Sequence, residues 1–207
     1  MRVVTGVKCG VVAVAVLVGT TACGVDGGAV REPDLSTKVV EVSAFPYGPA
    51  TAVPQAGVPG AIADITFRPL RAVNDPEECT PAPVDGDSAH VVVGPGGPAG
   101  GTLTVMVARA SDSRADFVDG ICQTFRLGGT VGTTITTTVD TSTGVIVNRR
   151  DLVANGTAYA HVYELVRQEG STRLYVQNRY PSATLSADEE AATRALFDAA
   201  STAAFGE

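Results

Sequence analysis

Two histidines, His90 and His161, are the scarcest residues of this chain that could move a proton. His161 sits in a β-like run, Thr157–Val166. Strand alternation there puts Tyr159, His161, Tyr163 and Leu165 on one face, and Ala158, Ala160, Val162, Glu164 and Val166 on the other. The next run, Arg173–Tyr180, offers Arg173, Tyr175, Gln177 and Arg179 on one face. With the small and aliphatic sets turned to the core, Tyr159, His161, Tyr163, Arg173, Tyr175 and Arg179 are expected to share the opposite face. Such a face could stack on a ligand and pair with an anion. The plainer alternative is the outside of a twisted sheet, or a face covered by a helix.

Other chemistry is poorly marked. No Gly-x-Ser-x-Gly elbow occurs, and neither histidine has a sequence signal for a Ser or Cys nucleophile. No catalytic residue is therefore assigned, and enzymatic activity is not the expected reading. Paired acids such as Glu77/Glu78, Asp85/Asp87 and Asp188–Glu190 suit solvated loops and a helix cap. The glycine-rich stretch 94–101 lacks a Gly-Lys-Ser/Thr ending, and Pro95 and Pro98 remove amide donors that a phosphate cradle needs. Asn155-Gly156-Thr157 matches a glycosylation acceptor, but a type I′ turn accounts for Asn-Gly without a sugar. Nothing in the sequence asks for a cofactor or a metal.

The elements that must position these residues are mostly strands. Ala89–Val93 and Thr102–Ala108 flank the glycine-rich loop, and further runs follow at Thr133–Val139, Gly144–Asn148, Thr157–Val166 and Arg173–Tyr180. Short connections between them imply an antiparallel meander. A helix is expected between Asp112 and Leu127, where Phe117, Val118, Ile121, Cys122 and Phe125 follow helical spacing. Ser186-Ala-Asp-Glu189 is a capping box opening an alanine-rich helix to about Ala203, with Leu196, Ala199, Ala200 and Ala203 as its packing face. The fold class is α+β: an antiparallel sheet of about five or six strands flanked by two or more helices.

The N-terminus reads differently. Arg2 and Lys8 precede a nine-residue apolar stretch, Gly10–Val18, too short to cross about 30 Å of hydrocarbon. Small residues then lead to Cys23. Thr20-Thr21-Ala22-Cys23 resembles the lipobox of bacterial lipoproteins, in which the cysteine becomes a thioether to diacylglycerol; Thr20 stands where Leu is usual. Residues 1–22 are thus read as a signal peptide and Cys23 as the lipidated first residue, the plainer alternative being an ordinary secretory signal followed by a chance cysteine. Residues 23–60 are read as a Pro/Gly-rich tether or lead-in, with a short strand around Lys38–Val42, and 61–207 as one α+β domain. Without Arg2 and Lys8 the 15 basic residues fall to 13, against 22 acidic ones. An acidic domain without basic clusters excludes nucleic acid as a partner and leaves membrane attachment to the lipid. Cys79 and Cys122 remain as an even pair in an oxidising compartment and are read as a disulfide; a two-cysteine metal site would need more ligands.

The Thr-Ala-Cys23-Gly ending, the glycine-bearing tether, Asp75-Pro-Glu-Glu-Cys79, the expected helix with Cys122 and the alanine-rich terminal helix together resemble a group of actinobacterial, mycobacterial-type envelope lipoproteins. These are similar in outline to sensor-like extracellular domains of that lineage. The resemblance implies an antiparallel α+β domain held at the outer face of the cytoplasmic membrane, with a disulfide and a binding or sensing role. The expected function is a lipid-anchored, non-enzymatic module recognising a small ligand, a lipid or a partner ectodomain. The alternatives are a cell-envelope hydrolase, with a histidine close to an acid and a hydroxyl nucleophile, and an envelope scaffolding protein.

Overall fold

Eight antiparallel strands form one sheet in the order β1-β2-β3-β8-β7-β6-β5-β4. In chain order they are β1 (Thr51–Ala52), β2 (Asp85–Pro95), β3 (Thr102–Arg109), β4 (Thr124–Arg126), β5 (Thr134–Asp140), β6 (Ile146–Ala154), β7 (Thr157–Glu169) and β8 (Thr172–Tyr180). Among the described residues two α-helices accompany them, α1 (Val58–Thr66) and α2 (Ala187–Phe205). The computed structural model describes residues 34–112, 120–181 and 184–206. The signal reading of 1–22, Cys23 and the first part of the tether lie outside the described residues. The class is α+β as expected, but the sheet exceeds five or six strands. The additional strands, β1 and β4, are two and three residues long at the two edges, too short to leave a periodic signal.

Both faces of the central strands are covered, which is why burial in the centre of β7 and β8 runs unbroken over 162–166 and 173–178, whereas β5 still alternates buried and exposed residues. On one face α2 and the N-terminal segment pack over Val92, Leu103, Val105, Tyr163, Leu165, Leu174 and Val176. On the other, α1 packs over Val91, Met106, Val166 and Tyr175, while Phe67, Cys79, Cys122 and Phe125 cover Ile135, Leu152 and Val162. Residues 34–60 are more than a tether. Leu35, Val40 and Phe45 are buried, and 3-10 turns at Leu35–Lys38 and Val42–Ala44 replace the expected strand there. Among the described residues, no helix is long and apolar enough to cross a membrane.

The second half of the expected helix over 112–127 does not form an α-helix. Gly120–Gln123 is a 3-10 turn and Thr124–Arg126 is β4, paired with β5; residues 113–119 lie outside the described residues. Thr124 and Phe125 favour a pleated surface, and edge pairing outcompetes a helical pattern already weakened by Gly120. Cys122 is bonded to Cys79, their Cα atoms 5.3 Å apart, well inside the disulfide range. That bond ties the 3-10 turn Gly120–Gln123, just before β4, to the 3-10 turn Glu77–Cys79.

The terminal helix begins as expected. The Ser186 hydroxyl accepts from the Glu189 amide while the Glu189 carboxylate accepts from the Ser186 amide. Its buried stripe is Thr193, Leu196, Phe197, Ala200, Ser201 and Ala204, so Ala199 is exposed and Ala203 only half-buried, contrary to expectation. The glycine-rich loop packs at this end of the molecule. Gly101 has φ +92°, and a Cβ there would lie 2.1 Å from the Arg179 carbonyl oxygen, while Asn178 donates to Gly96 O at 2.9 Å. Its glycines serve close backbone approach. Gly101→Ala is expected to cost about 1–3 kcal/mol by overpacking, read from the urea midpoint.

Candidate functional site

Register decides which of the sequence-marked residues share a face. The β7–β8 hairpin closes at Glu169 and Thr172, leaving the two-residue loop Gly170-Ser171. A two-residue loop pairs odd-numbered residues of β7 with even-numbered residues of β8, so His161 faces Tyr180, Tyr163 faces Asn178, and Val162 faces Arg179. The expected common face of Tyr159, His161, Tyr163, Arg173, Tyr175 and Arg179 therefore does not exist. His161 and Tyr163 lie under the α2 side, and Arg173, Tyr175 and Arg179 on the α1 side. Tyr159 departs from its own alternation. The pairing shifts between Leu152 and Val153, which leaves Tyr159 as the extra residue of a β-bulge, on the side of Arg179 and Leu152.

On the α2 side Tyr163 is 0% exposed. The Arg149 and Arg194 guanidinium carbons lie 4.5 and 5.5 Å from its ring centre, and both arginines bond to Glu190, Arg149 at 3.0 Å and Arg194 at 3.2 Å. Burial raises the Tyr163 phenol above its ordinary range. Tyr163 is therefore a packed residue clamped by cations and not a ligand contact. Glu190 is partly desolvated, but the hydrogen bonds from Arg149 and Arg194 outweigh this and hold its carboxyl below 4.5; Ser186 does the same for Glu189. Because both are lower than in the unfolded chain, their stabilisation is complete above pH 4.5 and fades as the pH falls through the folded values. The urea midpoint should therefore fall as the pH is lowered below about 4.5, and Glu190→Gln should flatten that fall.

Beside this clasp His161 Nδ1 lies 2.6 Å from Asp151 Oδ1, with the ring stacked on Tyr180 at 5.7 Å. This is half of a hydrolytic constellation: a histidine oriented by an acid. Among the described residues no serine, threonine or cysteine is hydrogen-bonded to the imidazole. His90 lies three strands away and six residues along, roughly 25 Å from His161 on sheet geometry. Among the described residues, no group of three or more His, Cys, Asp or Glu is arranged to hold a metal ion.

On the α1 side Arg173 is 1% exposed and spent on structure, donating to Gln168, to the Tyr175 hydroxyl and to Asp112. Tyr175 is buried with it. Arg179 reaches the end of α1, donating to Asp64 Oδ1 at 2.6 Å and to the Asp64 carbonyl at 3.2 Å, while Gln177 donates to the Ile65 carbonyl. A cation at a helix C-terminus complements the dipole there.

The same corner holds a concavity of about 320 Å³, lined by Gly60, Asp64, Phe67, Arg68, Leu127, Leu152, Tyr159 and Arg179 among others. Phe67, at φ 58°, ends α1 in the left-handed conformation, and its ring forms the floor above Arg150. Asn74 fixes the wall: buried, it donates to the Phe67 and Cys79 carbonyls and accepts from Gly128 N–H. The Cys79–Cys122 disulfide joins the segments that carry these groups. Tyr159, 50% exposed and bonded to Thr133, stands at the rim. A second hollow of about 220 Å³ lies on the other side of Arg68 and Pro69, walled by Pro59, Ile62, Leu70 and Val84.

Of the six residues marked from sequence, Tyr159 and Arg179 line the larger hollow. Asp64, Phe67, Arg68, Leu127 and Leu152 were not marked. They belong to a helix end, two loops and a strand, and no sequence period joins them. One buried feature did leave a signal. Glu164 stands among Ala160, Val162 and Val166, and an acid on an aliphatic strand face calls for a buried cation; Arg150 supplies it from β6. The chain matches no model of a known protein family. No match is found among curated proteins either.

Proposed function

We propose that the protein is an exported, lipid-anchored binding module of the cell envelope, non-enzymatic and sensor-like, whose ligand site is the concavity over Phe67. In this reading Cys23 carries the lipid and holds the domain at the outer face of the cytoplasmic membrane. What carries the reading is the build of the hollow: an apolar floor of Phe67, Leu127 and Leu152, with a few polar groups at one side and walls pinned by Asn74 and the disulfide. Ligand pockets are concave, mostly apolar and preformed, and about 300–1,000 Å³ in size, so this one suits a small molecule or one end of a larger one. A lipid or small envelope ligand fits these dimensions better than a partner ectodomain.

Gly60 offers a direct test. It lines the hollow within α1, and a Cβ there meets nothing within 4 Å. Gly60→Trp should fill the mouth while leaving the fold intact, and it gives a chain without tryptophan a single tryptophan to monitor. Envelope lipid extracts should shift the amide resonances of Phe67, Leu152 and Tyr159 in the native sequence and leave Gly60→Trp unmoved. Equal shifts in both would remove the hollow as the site. The anchor is tested separately by intact mass from native membranes: loss of residues 1–22 with added acyl groups is expected, and unacylated protein in the medium would refute it.

The His161–Asp151 pair favours a second reading, an envelope hydrolase. It requires a hydroxyl nucleophile near the imidazole. Labelling by a fluorophosphonate that disappears in His161→Ala would support it; absence of labelling would reject a serine mechanism.

A further inference from the structure

Arg68 is half-buried between the two hollows and lines both. One of its nitrogens donates to the Pro81 carbonyl, and among the described residues no carboxylate lies within 4 Å of its guanidinium. The contrast with its neighbours is sharp. Arg150 has Glu164, Arg173 has Asp112, Arg179 has Asp64 and Arg149 has Glu190. A cation partly removed from water and facing an apolar surface is costly unless an anion meets it. Within the same concavity Arg179 presents a second guanidinium whose single acid, Asp64, has its side chain 54% exposed and is therefore able to turn away. A guanidinium prefers flat, multidentate acceptors, which carboxylates and phosphates are.

From this we infer that the hollow takes an amphiphile with an anionic head: the carboxylate or phosphate seated on Arg68 and reached by Arg179, the alkyl body lying over Phe67, Leu127 and Leu152. Asp64 is the internal competitor for that head. A neutral head leaves Arg68 unmatched, and a cationic head is repelled. The inference rests on the hollow being the binding site and adds the charge class of what enters it. An alkyl chain accounts for the apolar floor, and the small volume restricts the buried part to a short chain or the first carbons of a long one.

The test is isothermal titration and amide-resonance mapping of the full-length chain carrying Cys23→Ser, so that no acyl group on Cys23 competes. The probes are octanoate, octyl phosphate, octyl glucoside and octyltrimethylammonium. Octanoate or octyl phosphate should bind at least 10-fold tighter than octyl glucoside, and the ammonium should not bind. The ratio of the two anions separates a fatty-acid source from a phosphorylated one. Arg68→Gln should erase the anion preference, Arg68→Lys should keep part of it, and Asp64→Asn should tighten anion binding by about 3-fold or more. Because Asp64 is exposed, its variant decides the matter even if Arg68→Gln does not fold: no gain in Asp64→Asn overturns the inference. Octyl glucoside binding as tightly as octanoate, with shifts at Phe67 and Tyr159, leaves the hollow as a site and overturns its anion specificity. No shift at the hollow with any probe overturns both.

Discussion

Glu164→Ala should destabilise the protein by about 3–5 kcal/mol, the cost of removing one partner from a buried ion pair. Glu164 and Arg150 are paired across β6 and β7 with side chains 0% and 1% exposed, and Asn148 donates to the other carboxylate oxygen at 3.3 Å. The Arg150 guanidinium also lies 4.9 Å from the Phe67 ring centre. Removing the carboxylate leaves a charge in a region where water cannot reach it, so the loss greatly exceeds what a surface pair would show. The double variant Arg150→Met/Glu164→Leu should recover most of the stability, because apolar side chains of similar volume need no desolvation. Urea unfolding of Glu164→Ala and of the double variant measures this directly. A single-variant loss below about 1 kcal/mol would show that the pair is hydrated and that the floor of the hollow is softer than described. Since Arg150 supports Phe67, octanoate binding should weaken in the single variant even under conditions where it is folded.

Cys79→Ser/Cys122→Ser is expected to cost about 4 kcal/mol. The bond closes a loop with a sequence separation of 43. The chain-entropy account gives about 4 kcal/mol for a loop of this size, within the range of about 2–5 kcal/mol typical for removing a native disulfide from a small domain. Both sulfurs are buried with Phe67, Phe125 and Ile135, so serine hydroxyls there add a polar penalty. Cys→Ala at both positions separates the terms: the loss common to both pairs belongs to the cross-link, and the excess in the serine pair to the hydroxyls. Equal stability of the oxidised and reduced native protein in urea would refute a structural role for the bond. The loops that it joins also wall the hollow, so reduction should broaden the Phe67 and Gly128 amide resonances before those of α2.

Much of this fold is written locally. Asn155 and Gly156 have φ values of 51° and 78°, as a type I′ turn demands, so the β6–β7 hairpin follows from two residues. The Ser186–Glu189 box sets where α2 begins, because the exchange of hydrogen bonds needs only residues three apart. Strand periods and the even pair of cysteines are similarly local or countable. The packing stripe of α2 was displaced by one position because alanines on every side leave the apolar face poorly defined, and Thr193 and Ser201 turn inward with polar groups that composition places outside.

The candidate face failed for a specific reason. Alternation tells which residues of one strand point together, but joining two strands also requires the parity of the loop between them. An even loop at Gly170-Ser171 turns the odd residues of β7 against the even residues of β8, and one bulge carries Tyr159 back across the sheet. The parity was readable from the length of that turn; the bulge was not. The hollow lay further out of reach, since its residues come from α1, β6, β7, β8 and two loops.

By itself, then, the sequence determined the α+β class, the hairpins, the cap of α2 and the cysteine pair, because each depends on neighbours along the chain or on a count. Only the tertiary structure decided that both faces of the central strands are covered, that Arg173 and Tyr163 are packing residues, and that Arg68 lines the concavity with, among the described residues, no carboxylate within 4 Å of its guanidinium. Those facts depend on which distant groups fill the space around a side chain, and no period along the chain encodes that.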